Sequence, residues 1–272
     1  MFNVKILYEQ INRIRKNKNV LTNNFLSLKE VEEFSQMSDS KLIYDNEIIV
    51  IYVKDNGINR IYFYVDDIKN IENLKNILEK NSELNTSYII DCLGTETFLN
   101  ELKTEFCKNG IKFYKKLNRW QSTQLTNLIN FNSSNLRIAK LEDLNSISSL
   151  LKEVMDPLIA HLPTEVKLQN LIKNNLVFCA EFNDKIIGVY CMENVGSNGI
   201  YLYQDGVLPD YQGTGIGVKL LHFALNRYPQ MKRYTAWIEE HNVMSEKMNS
   251  FVGLKKDKLI EYVFIYKREE SL

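Results

Sequence analysis

Four of the eleven glycines in this 272-residue chain, Gly206, Gly213, Gly215 and Gly217, fall within twelve residues. Glycine adopts positive φ without strain and leaves no Cβ in the way of an approaching group, so such clustering asks for a local cause. The cluster follows a β-branched and aromatic run, Gly199 to Leu208. It precedes apolar residues at Ile216, Leu220, Leu221, Ala224, Leu225 and Tyr228, the stripe of a core-facing helix. A glycine-rich turn at a helix start exposes successive backbone N–H groups and the positive end of the helix dipole, a combination that suits a pyrophosphate. The bland alternative is a tight strand-to-helix turn without ligand. No Lys-Ser or Lys-Thr pair follows, which excludes a Walker loop, and the last interval departs from the GxGxxG dinucleotide fingerprint.

The residues around this turn predict two βα-rich halves, joined by the polar stretch Asn127 to Asn135, where apolar periodicity stops at Asn132, Ser133, Ser134 and Asn135. The first half, residues 1–130, reads as helix Phe2 to Arg15 and strands Glu47 to Lys54 and Arg60 to Asp66, turned at Asp55-Asn56-Gly57. Helix Ile68 to Lys80, strand Ser87 to Cys92, helix Thr97 to Lys108 and strand Ile111 to Trp120 follow. The second half, residues 134–272, reads as strand Leu136 to Lys140, helix Leu144 to Val154, a variable segment Met155 to Pro163, and helix Thr164 to Asn174. After these come a hairpin, Leu176 to Phe182 with Lys185 to Met192, and the strand Gly199 to Leu208 with its helix. Strand Arg233 to Ile238, helix Val243 to Phe251 and strand Leu259 to Lys267 close the half. The fold class is α+β: a mixed, mostly antiparallel sheet flanked by helices, present twice in tandem.

Lys plus Arg and Asp plus Glu both number 34, so no basic excess points to nucleic acid or anionic membranes as partners. No apolar run approaches the roughly 18 residues of a membrane span, and the first twenty residues carry no signal-peptide pattern, which leads us to expect a cytoplasmic protein. Cys92, Cys107, Cys179 and Cys191 form no CxxC pair, and His161, His222 and His241 are not spaced with them as metal ligands, so no metal site is expected. Cys92, Cys179 and Cys191 lie in apolar runs and read as small buried hydrophobes.

The segment Gly206-Val-Leu-Pro-Asp-Tyr-Gln212-Gly213-Thr-Gly215-Ile-Gly217 resembles the signature of the GNAT superfamily of N-acetyltransferases, (Arg or Gln)-x-x-Gly-x-(Gly or Ala) preceded by Val-x-Pro. About thirty residues on, Asn242-Val-Met-Ser245-Glu-Lys-Met248-Asn249-Ser-Phe-Val-Gly253-Leu254 resembles that superfamily's Asn-x-x-Ala-x-x-x-Tyr-x-x-x-Gly-Phe segment. The resemblance spans Leu136 to Arg268 and implies acetyl-CoA as cofactor, held in a V-shaped slot between splayed strands. It places the backbones of Val207 and Leu208 on the pantetheine arm and wraps Gln212, Gly213, Thr214, Gly215, Ile216 and Gly217 around the pyrophosphate. Asn242 and Ser245 would lie near the pantetheine from the far side. Asn249 stands where the family commonly has a tyrosine that protonates the departing thiolate. An amide cannot be that acid, although it can donate a hydrogen bond to sulfur.

The resemblance implies transfer of an acetyl group to a primary amine of a small molecule or peptide by direct attack in a ternary complex. The amine must lose a proton first, and the nearest carboxylates are Asp205 beside Gly206 and Glu239 or Glu240 at the end of the next strand. Each reads equally well as a solvated strand end. By the two-residue period, Tyr201 and Tyr203 share a face with Asp205 and either line an acceptor pocket or belong to the core. The first half lacks the glycine loop and puts Asp66 and Asp67 in its place, so it reads as a degenerate GNAT-like domain that binds no CoA. A monomer or homodimer is expected. A non-catalytic acyl-CoA-binding or protein-interaction module stays open as the alternative, and a nucleotide-binding protein as a weaker third.

Overall fold

A computed structural model describes residues 1–16, 20–24, 28–45, 47–131 and 134–268. The predicted interruption at Asn132 and Ser133 lies outside the described residues. The chain divides into two compact units, Met1–Lys116 with Leu259–Leu272, and Leu117–Lys258.

The first unit runs α1 (Val4–Ile14), β1 (Leu21–Thr22), α2 (Leu28–Ser35), β2 (Lys41–Tyr44), β3 (Ile48–Asp55), β4 (Ile58–Val65), α3 (Ile71–Asn81), β5 (Ser87–Gly94) and α4 (Glu96–Lys108). Strand β6 (Lys112–Ser122) leads into the second unit. That unit contains β7 (Leu136–Ile138), α5 (Leu144–Val154), α6 (Glu165–Lys173), β8 (Val177–Phe182), β9 (Lys185–Val195), β10 (Gly199–Val207), α7 (Ile216–Leu225), β11 (Arg233–Glu239) and α8 (Val243–Phe251). Strand β12 (Lys255–Lys267) closes the chain. Every helix and strand read from the sequence is present. Elements β1, α2 and β2 are additional: β1 and β2 span two and four residues, and α2 shows its period only in Leu28, Val31 and Phe34.

Turn chemistry sets the hairpins. Asn56 and Gly57 both have positive φ, 50° and 87°, as do Asn183 and Asp184 at 49° and 58°, the backbone that joins two twisted antiparallel strands through two residues. Helix starts are capped by side chains that take orphan amides: Asn3 accepts from Lys5 N at 2.9 Å and Thr164 from Lys167 N at 3.2 Å.

In the first unit the strand order is β2-β3-β4-β5-β12, and in the second β6-β11-β10-β9-β8-β7. Neighbours are antiparallel except β4 with β5 and β10 with β11, which are parallel. Strand β6 pairs with β11 from Leu117↔Glu239 to Ser122↔Tyr234, while β12 pairs with β5 from Ile260↔Gly94 to Lys267↔Ser87. The last strand of each sequence half therefore completes the sheet of the unit built by the other half.

Each unit buries its own core. In the first, Phe63, Phe106 and Phe264 meet edge to face, with Phe106 and Phe264 centroids 4.8 Å apart. Burying each such ring contributes roughly 2–3 kcal/mol. Behind them Arg60, 2% exposed, reaches from β4 to Asp91 on β5 (Nη1–Oδ2 2.5 Å), so a buried charge is neutralised by a buried partner. Cys92, Cys179 and Cys191 are buried as expected, and burial raises the thiol pKa of each. No helix of the described residues is long and apolar enough to cross a membrane.

Candidate active site

The second unit opens where two parallel strands part. Strands β10 and β11 pair from Gly199↔Arg233 to Leu202↔Ala236 and no further, although β10 continues to Val207 and β11 to Glu239. Past that point each keeps only its outer neighbour, β10 pairing β9 to Val207↔Gly188 and β11 pairing β6 to Glu239↔Leu117. Their facing edges part to leave a slot between them.

A β-bulge between Leu202 and Gln204 inserts one residue into β10. The alternation restarts there, so the face shared by Tyr201, Tyr203 and Asp205 in the sequence reading is not shared in the structure. Tyr203 turns its hydroxyl to the carbonyl of His161, ahead of α6, and carries the Lys167 ammonium 4.2 Å from its ring centroid. Asp205 falls instead with Val207, whose side chain lies toward Gly217 on α7. Solvent reaches Asp205, but enough protein surrounds it that desolvation raises its pKa to about 6.

At the open end of the slot, residues Pro209–Tyr211 make a short 3₁₀ turn and the chain enters α7 through Gly213 (φ 75°) and Gly215 (φ 83°). Gln212 donates from Nε2 to Val207 O at 3.0 Å, and Thr214 Oγ1 donates to Tyr211 O at 2.6 Å, bracing the loop from within. The amides of residues 213 to 218 have no acceptor among the described residues, and they stand at the N-terminus of α7. A Cβ on Gly213 or Gly215 would project into open space with nothing within 4 Å. A bare row of donors with room before it fits a pyrophosphate.

Gly206 belongs to a different account. A Cβ there would meet Val154 Cγ2 at under 3.0 Å, so this glycine lets the end of α5 pack on β10. The sequence reading that grouped all four glycines around one ligand is corrected at this position. No local signal could have shown it, because Val154 is distant along the chain.

On the far side of the slot, Asn242 caps α8, its Oδ1 accepting from Ser245 N at 3.1 Å. Asn249 is 4% exposed and donates from Nδ2 to Ser245 O at 3.0 Å and Ser245 Oγ at 3.4 Å, leaving Oδ1 without a partner among the described residues. Leu208 is buried and its amide donates to Ile187 O at 2.9 Å. Glu239 is half-buried at the end of β11, where its carbonyl accepts from Asn242 N at 3.1 Å.

Residues 144–254, from the start of α5 to the residue before β12, match the model of the acetyltransferase (GNAT) family. The second half of the chain carries a GNAT domain. Among solved structures, a GCN5-related N-acetyltransferase from Sphaerobacter thermophilus is 13% identical over 91% of this chain and 88% of its own, with a TM-score of 0.62. A GNAT-family acetyltransferase from Colwellia psychrerythraea is 16% identical over 98% of both chains (TM-score 0.54). A tandem GNAT protein from the clavulanic acid biosynthesis pathway is 9% identical over 86% and 85% (TM-score 0.56). At these identities the likeness establishes the fold, and since it extends over most of the chain, the first unit is GNAT-like as well. No curated protein sequence matches the chain.

The first GNAT-like unit differs at the equivalent turn. After β4, Asp67 Oδ1 accepts from Lys69 N at 2.9 Å and Asp66 Oδ1 accepts from Asn70 Nδ2 at 2.8 Å. Carboxylates stand there where the GNAT domain of the second half presents bare amides.

Proposed function

We propose that the chain is an acetyl-CoA-dependent N-acetyltransferase acting on a primary amine of a small molecule or peptide. The observation that carries the reading is the row of unpartnered amides from 213 to 218 at the mouth of the β10–β11 slot. Gln212, Gly213, Thr214, Gly215, Ile216 and Gly217 would hold the pyrophosphate of acetyl-CoA, and the backbone at Val207 and Leu208, where β10 ends, the pantetheine arm, with Asn242 and Ser245 opposite. Acetyl-CoA supplies an acetyl group on a thiol leaving group.

The chain's part is to place the amine and remove its proton. An alkyl ammonium with pKa about 10.4 is inert until deprotonated. Asp205, whose carboxyl is raised to about pKa 6 by desolvation from the surrounding protein, is ionised at neutral pH and is a stronger base than an ordinary aspartate. Glu239 is the second candidate. Both substrates are bound together and the amine attacks directly. Residues 134–272 make the catalytic domain in this reading, and residues 1–130 a degenerate partner, since Asp66 and Asp67 repel a pyrophosphate. The active form is a cytoplasmic monomer or homodimer.

One observation favours a non-catalytic acyl-CoA-binding module: both hydrogens of Asn249 Nδ2 face Ser245, so the amide has none left for a departing sulfur. Two measurements separate the readings. Isothermal titration of acetyl-CoA should show binding to the wild type and none to Gly215→Glu, which fills the phosphate position with a carboxylate. Thiol release across a panel of amines should then show turnover. Binding without turnover leaves the module, and absence of binding to the folded wild type removes both.

A further inference from the structure

In the second unit Asn118, Trp120, His222 and Asn249 each bury a polar side-chain atom that has no hydrogen-bond partner among the described residues. Asn118 on β6 is fully buried, and neither its Oδ1 nor its Nδ2 has a hydrogen-bond partner among the described residues. Trp120 Nε1 and Asn249 Oδ1 share that condition. Leaving one such group dry costs about 1–3 kcal/mol.

Register places Asn118 and Trp120 on one face of the sheet. Asn118 stands opposite Ile238 and Trp120 opposite Ala236, so both side chains leave the sheet on the side of Tyr234, whose hydroxyl donates to Tyr228 O just behind α7. Helix α7 packs on that face, since a Cβ on Gly188 of β9 would meet Leu220 and Ile216, and α8 lies against α7, with Gly217 beside Met248 and His222 meeting the Phe251 ring at 5.8 Å. Asn249 is the residue α8 buries most fully. Asn118 also has a defined depth, since Ile238 is two residues past the last β10–β11 pair, Leu202↔Ala236, where the slot begins.

Two carboxamide oxygens, one amide NH₂ and one indole N–H supply acceptors and donors in the number an enclosed water needs, two to four partners. We infer that Asn118, with Trp120 and Asn249, holds ordered water beneath α8, and that this water donates a hydrogen bond to the sulfur leaving the slot. The inference rests on the acetyltransferase reading. As the amine nitrogen bonds to the carbonyl carbon, the carbon–sulfur bond breaks and its electron pair stays on sulfur. The nitrogen's proton passes to Asp205, and the water steadies the thiolate in place of a side-chain acid. Asn118 is thus a positioning residue.

The test reads the thiol as well as turnover. Free CoA is bound to the full chain and its thiolate titrated by ultraviolet absorbance, in the wild type, Asn118→Leu and Trp120→Phe. Loss of a hydrogen bond to the thiolate should raise the bound thiol's pKa by about one unit in Asn118→Leu, and lower kcat about tenfold at unchanged KM for acetyl-CoA. Trp120→Phe removes the indole donor and one ring while keeping an apolar aromatic side chain, so it should shift both in the same direction, and it carries the test alone if the leucine variant does not fold. Unchanged thiol pKa and kcat in the folded variants overturn the water. Failure of wild type to bind CoA is seen first, and sinks the acetyltransferase reading instead.

Discussion

Gly206→Ala separates packing from ligand binding within the glycine cluster. The backbone at Gly206 is not left-handed, so alanine meets no conformational strain, and a stiffer unfolded chain favours it by about 0.4–1 kcal/mol. Against this, the new methyl meets Val154 Cγ2 at under 3.0 Å, with Leu150 Cδ2 at 3.5 Å and Val154 Cβ at 3.6 Å leaving little room to yield. Overpacking of this kind costs about 1–3 kcal/mol. The net expectation is a loss of about 1–2 kcal/mol, roughly a five- to thirtyfold fall in the folded-to-unfolded ratio, read by chemical denaturation. In a Val154→Ala background the colliding methyl is gone, and the same substitution should be neutral or mildly stabilising. Gly215→Ala provides the contrast: nothing lies within 4 Å of its Cβ, but φ is 83°, so it should cost about 1–2 kcal/mol in either background. Acetyl-CoA affinity should survive in Gly206→Ala. An equal loss in both Val154 backgrounds would refute the collision argument and return Gly206 to the ligand loop.

Two further outcomes follow from the same structure. If Asp205 is the base, kcat/KM should rise with pH through about 6, and Asp205→Asn should lose both rate and that limb. The folded pKa lies above the unfolded value, so the contribution of this group to stability is complete below the unfolded pKa and lost as pH rises through about 6. The asparagine variant should therefore melt no lower than wild type at neutral pH, and a clear drop would contradict the assignment. A fragment beginning at Ser134 lacks β6 and bares the edge of β11, so it should aggregate, whereas one beginning at Lys112 keeps the six pairs from Leu117↔Glu239 to Ser122↔Tyr234. A folded, monomeric Ser134 fragment by size exclusion and circular dichroism would show that β6 is dispensable.

Much of the molecule is legible along the chain because its causes are local. Asn56-Gly57 and Asn183-Asp184 turn strands through their own backbone preferences, Asn242 caps the helix that follows it, and Gly213 and Gly215 supply the positive φ that the entry to α7 requires. A reader of residues needs no partner strand to see these. The phosphate-shaped turn and the helix behind it were therefore visible at once, as was the alternation of strands and helices on both sides of it.

What depended on residues far apart in sequence was not. The bulge in β10 arises from its register against β9, and it moves Asp205 off the face of Tyr203 although the two-residue period says otherwise. Val154 decides why position 206 is glycine, and the return of β6 to β11 and of β12 to β5 decides which strands complete which sheet. The unmet carboxamide of Asn118 exists only once β6 has paired with β11 and the fold has buried that side chain. Local sequence determined the elements, the turns and the donor-lined loop, since backbone preference and short-range hydrogen bonds act within a few residues. Tertiary structure alone decided faces, close contacts and buried polar groups, since excluded volume and desolvation act only once distant segments meet.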